Sequence, residues 1–503
     1  MLLNTGIQFD RHDVLGVGGF GSVFRGQYKG KSVAVKRIEK RIDSVQPREL
    51  KIHLQLGAHP NIVKFFHFAS DEDFRYIAME LCDASLDRVY LNEHDSRKYR
   101  GPALPNDFEV FYQLASGLKY IHSQKLIHRN IKPQSILISV KHNDQGEEVT
   151  IKWADFGLSR TVNERGTYRM RTIKGCVLWF SPEVMELMDR DLRIEETEGS
   201  VKSDVYAEGL VFGYILLKGR HLYGDGSLEI ERNMKNNNPV NMSKIHEKHL
   251  ARNLIEQMLT KSPDMRITSE EVVIKLQAIK IELTEKEKQL HQLCEKSSEN
   301  DFMESIESLM QLGIDGNTRN KKGWNALHLL CFYNSSQHLT AAIKLLIKSG
   351  IDKDAKEKDG WNALHLLCFN NSSPGLIEAI NLLINPDNDI NATTNGGSNA
   401  LHLLCYNNSS RNLINAIKLL IEIGIDINAK KNDGCNALHL LCYNNLSPGL
   451  IDAIKLLFDQ GIDKNAKNGN GWNALHILSF YNSSPHKIDA IKYFIELGID
   501  VIV

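Results

Sequence analysis

Leu126-Ile127-His128-Arg129-Asn130-Ile131-Lys132-Pro133-Gln134-Ser135-Ile136-Leu137 is the stretch on which the reading of this chain turns. Its two most telling positions are Asn130 and Ser135, because an amide does not accept a proton as a carboxylate does. Upstream lies Leu15-Gly16-Val17-Gly18-Gly19-Phe20-Gly21-Ser22-Val23. Glycines there let the backbone turn tightly and bring its N–H groups close to phosphate oxygens. Val33-Ala34-Val35-Lys36 follows, alternating and β-branched, which is strand chemistry ending in a lysine suited to phosphates. Downstream, Trp153-Ala154-Asp155-Phe156-Gly157 supplies a carboxylate.

In this order the stretches resemble the protein kinase signature. The resemblance implies an α+β bilobal fold that binds ATP and Mg2+. Gly16, Val17, Gly18, Gly21, Val23 and Ala34 would contact the nucleotide, and Lys36 would pair with the α- and β-phosphates. Lys36 needs a carboxylate partner: Glu49 opens a helical segment and is preferred over Glu39, which sits at the end of the strand. Tyr76-Ile77-Ala78-Met79-Glu80-Leu81-Cys82 would be the hinge, with Glu80 and Cys82 offering backbone groups to adenine and their side chains carrying nothing. Asp155 would hold the metal. Glu183 of Ser181-Pro182-Glu183 is expected to pair with Arg266, and Asp204 to pin the loop backbone.

The departures fall on the chemistry. Asn130 stands where kinases carry the catalytic aspartate, and Ser135 where they carry the asparagine that holds a second magnesium ion. Cys176 stands where serine/threonine kinases usually carry a threonine. Lys132 is retained. Thr161, Thr167, Tyr168 and Thr172 lie in the activation segment as candidate phosphoacceptors, and Arg129 is placed to meet a phosphate there.

Asp13-Val14-Leu15-Gly16, the run to Arg37-Ile38 and the hinge strand also resemble the inositol-requiring endoplasmic-reticulum stress kinase/endoribonuclease and its relative ribonuclease L, over roughly the first 275 residues. That stress kinase has a lumenal sensor and a membrane span ahead of its kinase. Here neither a secretory h-region nor an apolar run of about 20 residues occurs, so a cytoplasmic chain without membrane contact is expected. In both relatives a ribonuclease domain follows the kinase. Here some forty mostly charged or repeat-like residues separate Leu276 from the first full repeat, so no ribonuclease is expected.

The second half is periodic. Gly323-Trp324-Asn325-Ala326-Leu327-His328 recurs with variation from Gly360, Gly397, Gly434 and Gly471, at steps of 37 residues. Gly-Ile-Asp recurs in step, broken only at Asp387. Asn-Ala-Leu-His stands where ankyrin repeats carry T-P-L-H, with a usual period of about 33. The four extra residues are assigned to the connection between the two helices of each repeat, at phrases such as Tyr333-Asn334-Ser335-Ser336. An all-α ankyrin-type solenoid is expected, since no single unit can bury its apolar face alone. His328/Cys331, His365/Cys368, His402/Cys405 and His439/Cys442 carry zinc-ligand types. Repetition explains the spacing better, with histidine bonding within its turn and cysteine packing as a small hydrophobe. Trp324, Trp361 and Trp472 are packing caps or partner contacts.

The boundaries read as 1–280 for the kinase-like domain, 281–299 for a charged, solvated helical linker, and 300–503 for the repeats. Lys+Arg of 61 against Asp+Glu of 62 implies no broad basic field, so nucleic acid is a poor partner. Five of the eight cysteines fall in the repeats, which is core usage suited to a reducing compartment. Three functions compete: an ATP-binding pseudokinase or weak kinase that signals through shape and association, with a possible homodimer through the kinase-like domain and a protein partner on the repeats; an active serine/threonine kinase; and an inert ankyrin scaffold.

Overall fold

The computed structural model describes residues 6–18, 21–40, 48–143, 146–170, 173, 175–189, 198–296, 301–370, 372–384, 389–407, 412–444 and 449–499. Thr172 and Asp387 lie outside the described residues. The chain divides into two units, Met1–Glu282 and Leu283–Val503.

The first unit opens with β1 (Ile7–Gly18), β2 (Gly21–Tyr28), β3 (Lys31–Glu39), helix α1 (Arg48–Leu56), β4 (Phe65–Ser70) and β5 (Phe74–Glu80). The strands form an antiparallel sheet in the order β1-β2-β3-β5-β4. Alternation along β3 sends Val33 and Val35 into a cluster with Ile7, Phe9, Phe24 and Tyr76. The same alternation turns Ala34 and Lys36 to the opposite face.

Helices dominate the rest of the unit. β6 (Ala84–Ser85) leads to α2 (Asp107–Ser123), whose N-cap Asn106 accepts from Glu109 N–H. Three short ladders then aim the polar loop. β7 (Leu126–Ile127) ends immediately before His128, and β8 (Ile136–Asn143) begins immediately after Ser135. β9 (Gly146–Trp153) pairs with β8 so that Ile136 faces Trp153, two residues before Asp155, and β10 (Arg160–Thr161) pairs back onto β7. Both ends of the loop and the Asp155 segment are thus held by one local scaffold. After β11 (Thr167–Arg169), α3 (Pro182–Asp189) and β12 (Glu198–Ser200) comes α4 (Lys202–Leu216), which is buried along most of its length; α5 (Ser227–Lys235) and α6 (Leu250–Met258) complete the lobe.

Helix α7 (Ser269–Glu295) belongs to the first unit up to Glu282 and to the second from Leu283. Its end differs from the solvated linker expected there. Leu290 and Cys294 are fully buried, and His291 Nε2 lies 3.0 Å from Thr318 O. Gln289-Leu290-His291-Gln292-Leu293-Cys294 stands 37 residues before Ala326-Leu327-His328-Leu329-Leu330-Cys331. It is a degenerate first repeat helix, hidden because Lys286, Glu287 and Lys288 stand for the Gly-Trp-Asn turn and Gln289 and Gln292 for Ala and Leu.

The array continues as α8 (Phe302–Gln311), then α9 (Ala326–Tyr333) with α10 (Leu339–Lys348), α11 (Ala363–Asn370) with α12 (Leu376–Leu383), α13 (Ala400–Asn407) with α14 (Leu413–Glu422), α15 (Ala437–Asn444) with α16 (Leu450–Asp459), and α17 (Ala474–Tyr481) with α18 (Lys487–Glu496). The odd-numbered helices from α9 on stack in one layer and the even-numbered ones in another. Gly323, Gly360, Gly397, Gly434 and Gly471 hold φ between 78° and 83°, the left-handed turn that a side chain would strain. Residues 334–338 join α9 to α10, where the added residues were placed. Buried Asn334 folds that connection by accepting from Ser336 N–H at 2.9 Å.

The histidines do more than the sequence indicated. Nδ1 of His365 and His402 accepts from the backbone N–H of Asn362 and Asn399, within the turn. Nε2 of each then reaches the carbonyl of Ala392 or Ala429, 27 residues on and in the next repeat. The cysteines at their sides are fully buried. Among the described residues no group of three His, Cys, Asp or Glu is placed to hold a metal ion. Trp324, Trp361 and Trp472 pack edge-on against Phe332, Phe369 and Phe480 at 5.2–5.4 Å, so their packing role is met within each repeat.

Candidate nucleotide site

Lys36 is the centre of the site. Its ammonium lies 2.8 Å from both Glu49 oxygens and 3.0 Å from Asp155 Oδ1. β3 delivers the lysine, the first turn of α1 delivers Glu49, and the segment after β9 delivers Asp155. Glu39, the alternative partner, is exposed at the end of β3. Burial opposes the charge on Lys36, but Glu49 and Asp155 together hold its pKa above the usual lysine range. Burial likewise pushes the Asp155 carboxyl up, and Lys36, His128 and Lys132 more than reverse that, leaving it below the usual carboxylate range. Asp155 itself is left-handed, with φ 62°. The next residue, Phe156, is fully buried between the rings of His53 (5.3 Å) and His128 (5.0 Å). His53 sits on α1 beside Glu49, so the same contact that seats Phe156 also seats the carboxylate helix. No sequence signal marked it.

The polar loop is pinned from beneath. Asp204 accepts from His128 N–H at 2.7 Å and Arg129 N–H at 2.9 Å, and its Oδ2 lies 3.0 Å from His122 Nε2. His128 Nε2 reaches Ala154 O at 3.0 Å. Arg266 and Glu183 form the expected pair, bidentate at 2.8 and 2.9 Å, with the Arg266 side chain fully buried. Arg129 lies over the Tyr168 ring at 5.0 Å, so one candidate phosphoacceptor already occupies the arginine's side. Cys176 is half-buried.

Asn130 makes the contact that the sequence did not foreshadow: its Nδ2 donates to Asp155 Oδ2 at 2.6 Å. A carboxylate at position 130 would repel Asp155 there, whereas the amide binds it. Ser135 is buried, and its hydroxyl has no hydrogen-bond partner among the described residues.

Around the cleft, Gly21 approaches the Arg37 carbonyl so closely that a Cβ would stand 2.1 Å from it, which requires glycine. Gly16, Val17 and Gly18 are exposed, Val23 faces Lys36 across β2 and β3, and Ala34 is buried. At the hinge, Glu80 N–H donates to Lys64 O at 2.8 Å. The Glu80 side chain, expected to carry nothing, is occupied: it accepts from Ser139 Oγ and Lys64 N–H and pairs with buried Lys152, each at 3.2 Å. These partners come from β8, β9 and the residue just before β4, which no local sequence reading connects. Cys82 is half-buried, and burial pushes its thiol pKa up to about 12, so it is not a reactive thiolate.

This arrangement fits a nucleoside triphosphate in that Lys36 is held beside Asp155 as a cation for the phosphates. It does not fit a magnesium ion well. Both Asp155 oxygens already accept hydrogen bonds, from Lys36 and Asn130, and the Ser135 hydroxyl is buried.

Comparison with known proteins agrees with this geometry. A model of the protein kinase domain matches residues 9–276, and a model of ankyrin repeats in three copies matches 290–394, 372–468 and 415–503. The residues between the two matches all lie in α7. The chain is 33% identical over 273 residues to the human serine/threonine-protein kinase/endoribonuclease IRE2, covering 53% of this chain and 28% of that protein. It is 30% identical over 280 residues to the Caenorhabditis elegans serine/threonine-protein kinase/endoribonuclease ire-1, covering 54% and 27%. It is 30% identical over 278 residues to the serine/threonine-protein kinase PLK4 of Drosophila persimilis, covering 53% and 32%. The chain therefore spans about a third or less of the length of these curated relatives. Among the described residues no helix is long and apolar enough to cross a membrane. With a match over residues 9–276, more than half of its 503 residues, the chain belongs to the protein kinase family and carries ankyrin repeats after its kinase domain.

Proposed function

We propose that the kinase domain is an ATP-binding pseudokinase, or at most a weak kinase, that signals through its ordered shape, and that the ankyrin array binds a protein partner. One observation carries this reading. The Lys36–Glu49–Asp155 constellation is assembled, while the residue that would accept the substrate proton is an amide committed to Asp155. Nucleotide binding needs the first; phosphoryl transfer needs a positioned base as well, whose loss typically costs about 10²–10⁴-fold. ATP bridging the glycine loop, Lys36 and the pinned loop would order the two lobes, and an ordered kinase domain is a surface on which a second copy can dock. The array suits a protein ligand because its helix ends present exposed aromatic edges, among them Tyr333, Tyr443 and Tyr481. A cytoplasmic setting accords with the free cysteines, six of which are buried.

The second reading is an active serine/threonine kinase. The buried Phe156 and the closed Lys36–Glu49 pair favour it, since catalysis requires both parts in place. Two measurements separate the readings. ATP should raise the melting temperature of the full chain, and Lys36→Ala should reduce that rise. Radiolabelled phosphotransfer should be absent or very slow, with Asn130→Asp alone restoring little and the triple change Asn130→Asp, Ser135→Asn, Cys176→Thr exceeding the product of the single effects. Robust labelling by the unmodified chain that Lys36→Ala abolishes would establish the active kinase instead. No thermal response to millimolar ATP would leave only an ankyrin scaffold.

A further inference from the structure

We propose that the cleft takes its nucleoside triphosphate as the metal-free anion, with Asn130 holding Asp155 in a hydrogen bond where a divalent cation would otherwise sit. The inference rests on the ATP-binding reading above and concerns what that site requires.

Three observations converge. The first is the occupancy of Asp155. Lys36 Nζ takes Oδ1 at 3.0 Å and Asn130 Nδ2 takes Oδ2 at 2.6 Å. An ion arriving at Oδ2 meets an N–H dipole with its positive end toward it and must compete with it for that oxygen's electron density. Magnesium is a demanding competitor to install this way, because it dehydrates reluctantly and wants near-octahedral oxygen ligands at about 2.0–2.1 Å. The second is the missing donor. Ser135 offers a neutral hydroxyl in place of an amide oxygen, and that hydroxyl has almost no accessible surface. The third is the charge balance. Lys36 bonds both Glu49 and Asp155, so two carboxylates already share its one positive charge. An aspartate at position 130 would add a third negative charge and make a divalent cation necessary to admit a polyphosphate. With Asn130 that added charge is absent, so a polyphosphate meets one fewer repelling carboxylate beside Asp155.

The Asn130–Asp155 bond also explains why replacing the base need not disorder the loop. Two carboxylates in this contact repel unless an ion bridges them, while an amide and a carboxylate bind directly.

The test is calorimetric titration and thermal melting of the full chain with ATP, once in excess EDTA and once with excess magnesium. The expected result is binding in EDTA at least as tight as with magnesium. Tighter binding by tenfold or more with magnesium overturns the proposal and leaves the ATP-binding reading standing; no binding in either condition overturns both. Asn130→Asp should weaken binding in EDTA by tenfold or more and restore it with magnesium. If that variant does not fold, Asn130→Ala removes the donor without adding charge, and should leave EDTA binding within a few-fold while exposing Oδ2 to metal. Mn2+ serves as a direct reporter. Its paramagnetic resonance signal should be no more quenched by chain plus ATP than by ATP alone, and stoichiometric retention of Mn2+ on the unmodified chain would also overturn the proposal.

Discussion

The two halves of this protein are held together by opposite strategies. In the kinase unit the decisive contacts are charged, buried and unrepeated, and they join residues far apart in sequence: Lys36 with Asp155 across 119 positions, Arg266 with Glu183 across 83, His128 with Asp204 across 76. In the array the contacts that recur from repeat to repeat at fixed offsets are neutral. Asn370 and Asn407 each donate to a carbonyl 38 residues earlier, and Asn395 and Asn432 to one 37 earlier. The backbone N–H groups of Asp352, Asp426 and Asp463 each reach an asparagine 35 residues earlier. The difference teaches where stability sits. A unit built on single long-range ion pairs concentrates its stability in a few positions, whereas an array of repeated neutral bonds spreads it over nearest neighbours.

Breaking one ion pair should have the largest effect. Arg266→Ala leaves Glu183 without its partner and strips carbonyls of Thr260, Lys202 and Lys261 of their donor. It should cost the kinase unit about 3–5 kcal/mol, the usual range for breaking a buried pair from one side. Chemical denaturation should show the loss in the kinase transition and leave the array transition in place.

Matched core truncations sharpen the contrast. Leu118 in α2 and Leu404 in α13 are both fully buried. Leu118→Ala and Leu404→Ala should each cost about 2–5 kcal/mol. Hydrogen exchange should rise throughout the kinase unit for the first, but only in α13, α14 and the adjoining repeats for the second. Uniform acceleration along the whole array would contradict nearest-neighbour coupling.

Acid should probe the repeated histidines. Burial lowers the pKa of His365 and His402 to about 4, although their carbonyl partners pull the other way. Because the folded pKa lies below the unfolded value of about 6.5, the unfolded chain binds the proton more readily. Stability from these groups is complete above about pH 6.5 and is lost as pH falls toward 4, by up to about 1.4 kcal/mol per pH unit for each histidine. His365→Gln with His402→Gln should flatten that slope in the array. The kinase unit should keep its own slope, set by His53, His221 and His249, which burial also lowers to about 4.

The smallest effect should come from one cap. Asn436 Oδ1 accepts from His439 N–H at 3.2 Å, and its Nδ2 donates to Asp463 O in the next repeat at 3.3 Å. Asn436→Ala should cost about 1 kcal/mol, the usual value for an N-cap. A loss several times larger would show that the inter-repeat bond, rather than the cap, dominates.

Much was legible without coordinates. The glycine loop, Lys36, Glu49, Asp155, Asp204 and the Arg266–Glu183 pair follow from motif order, because a family signature encodes side chains whose spacing along the chain is constrained by the fold. The period of 37 and the two-helix repeat follow from repetition itself. The degenerate repeat at the end of α7 escaped because only Leu290, His291, Leu293 and Cys294 keep the pattern while polar residues surround them. Tertiary structure alone decided the rest. That Asn130 turns its amide onto Asp155, that Glu80 is bound by Ser139, Lys64 and Lys152, and that the histidines reach forward into the next repeat are all contacts between separate elements. Local sequence sets which groups an element presents. Which group it meets is set by packing, where each buried donor must find an acceptor across a distance the sequence does not express.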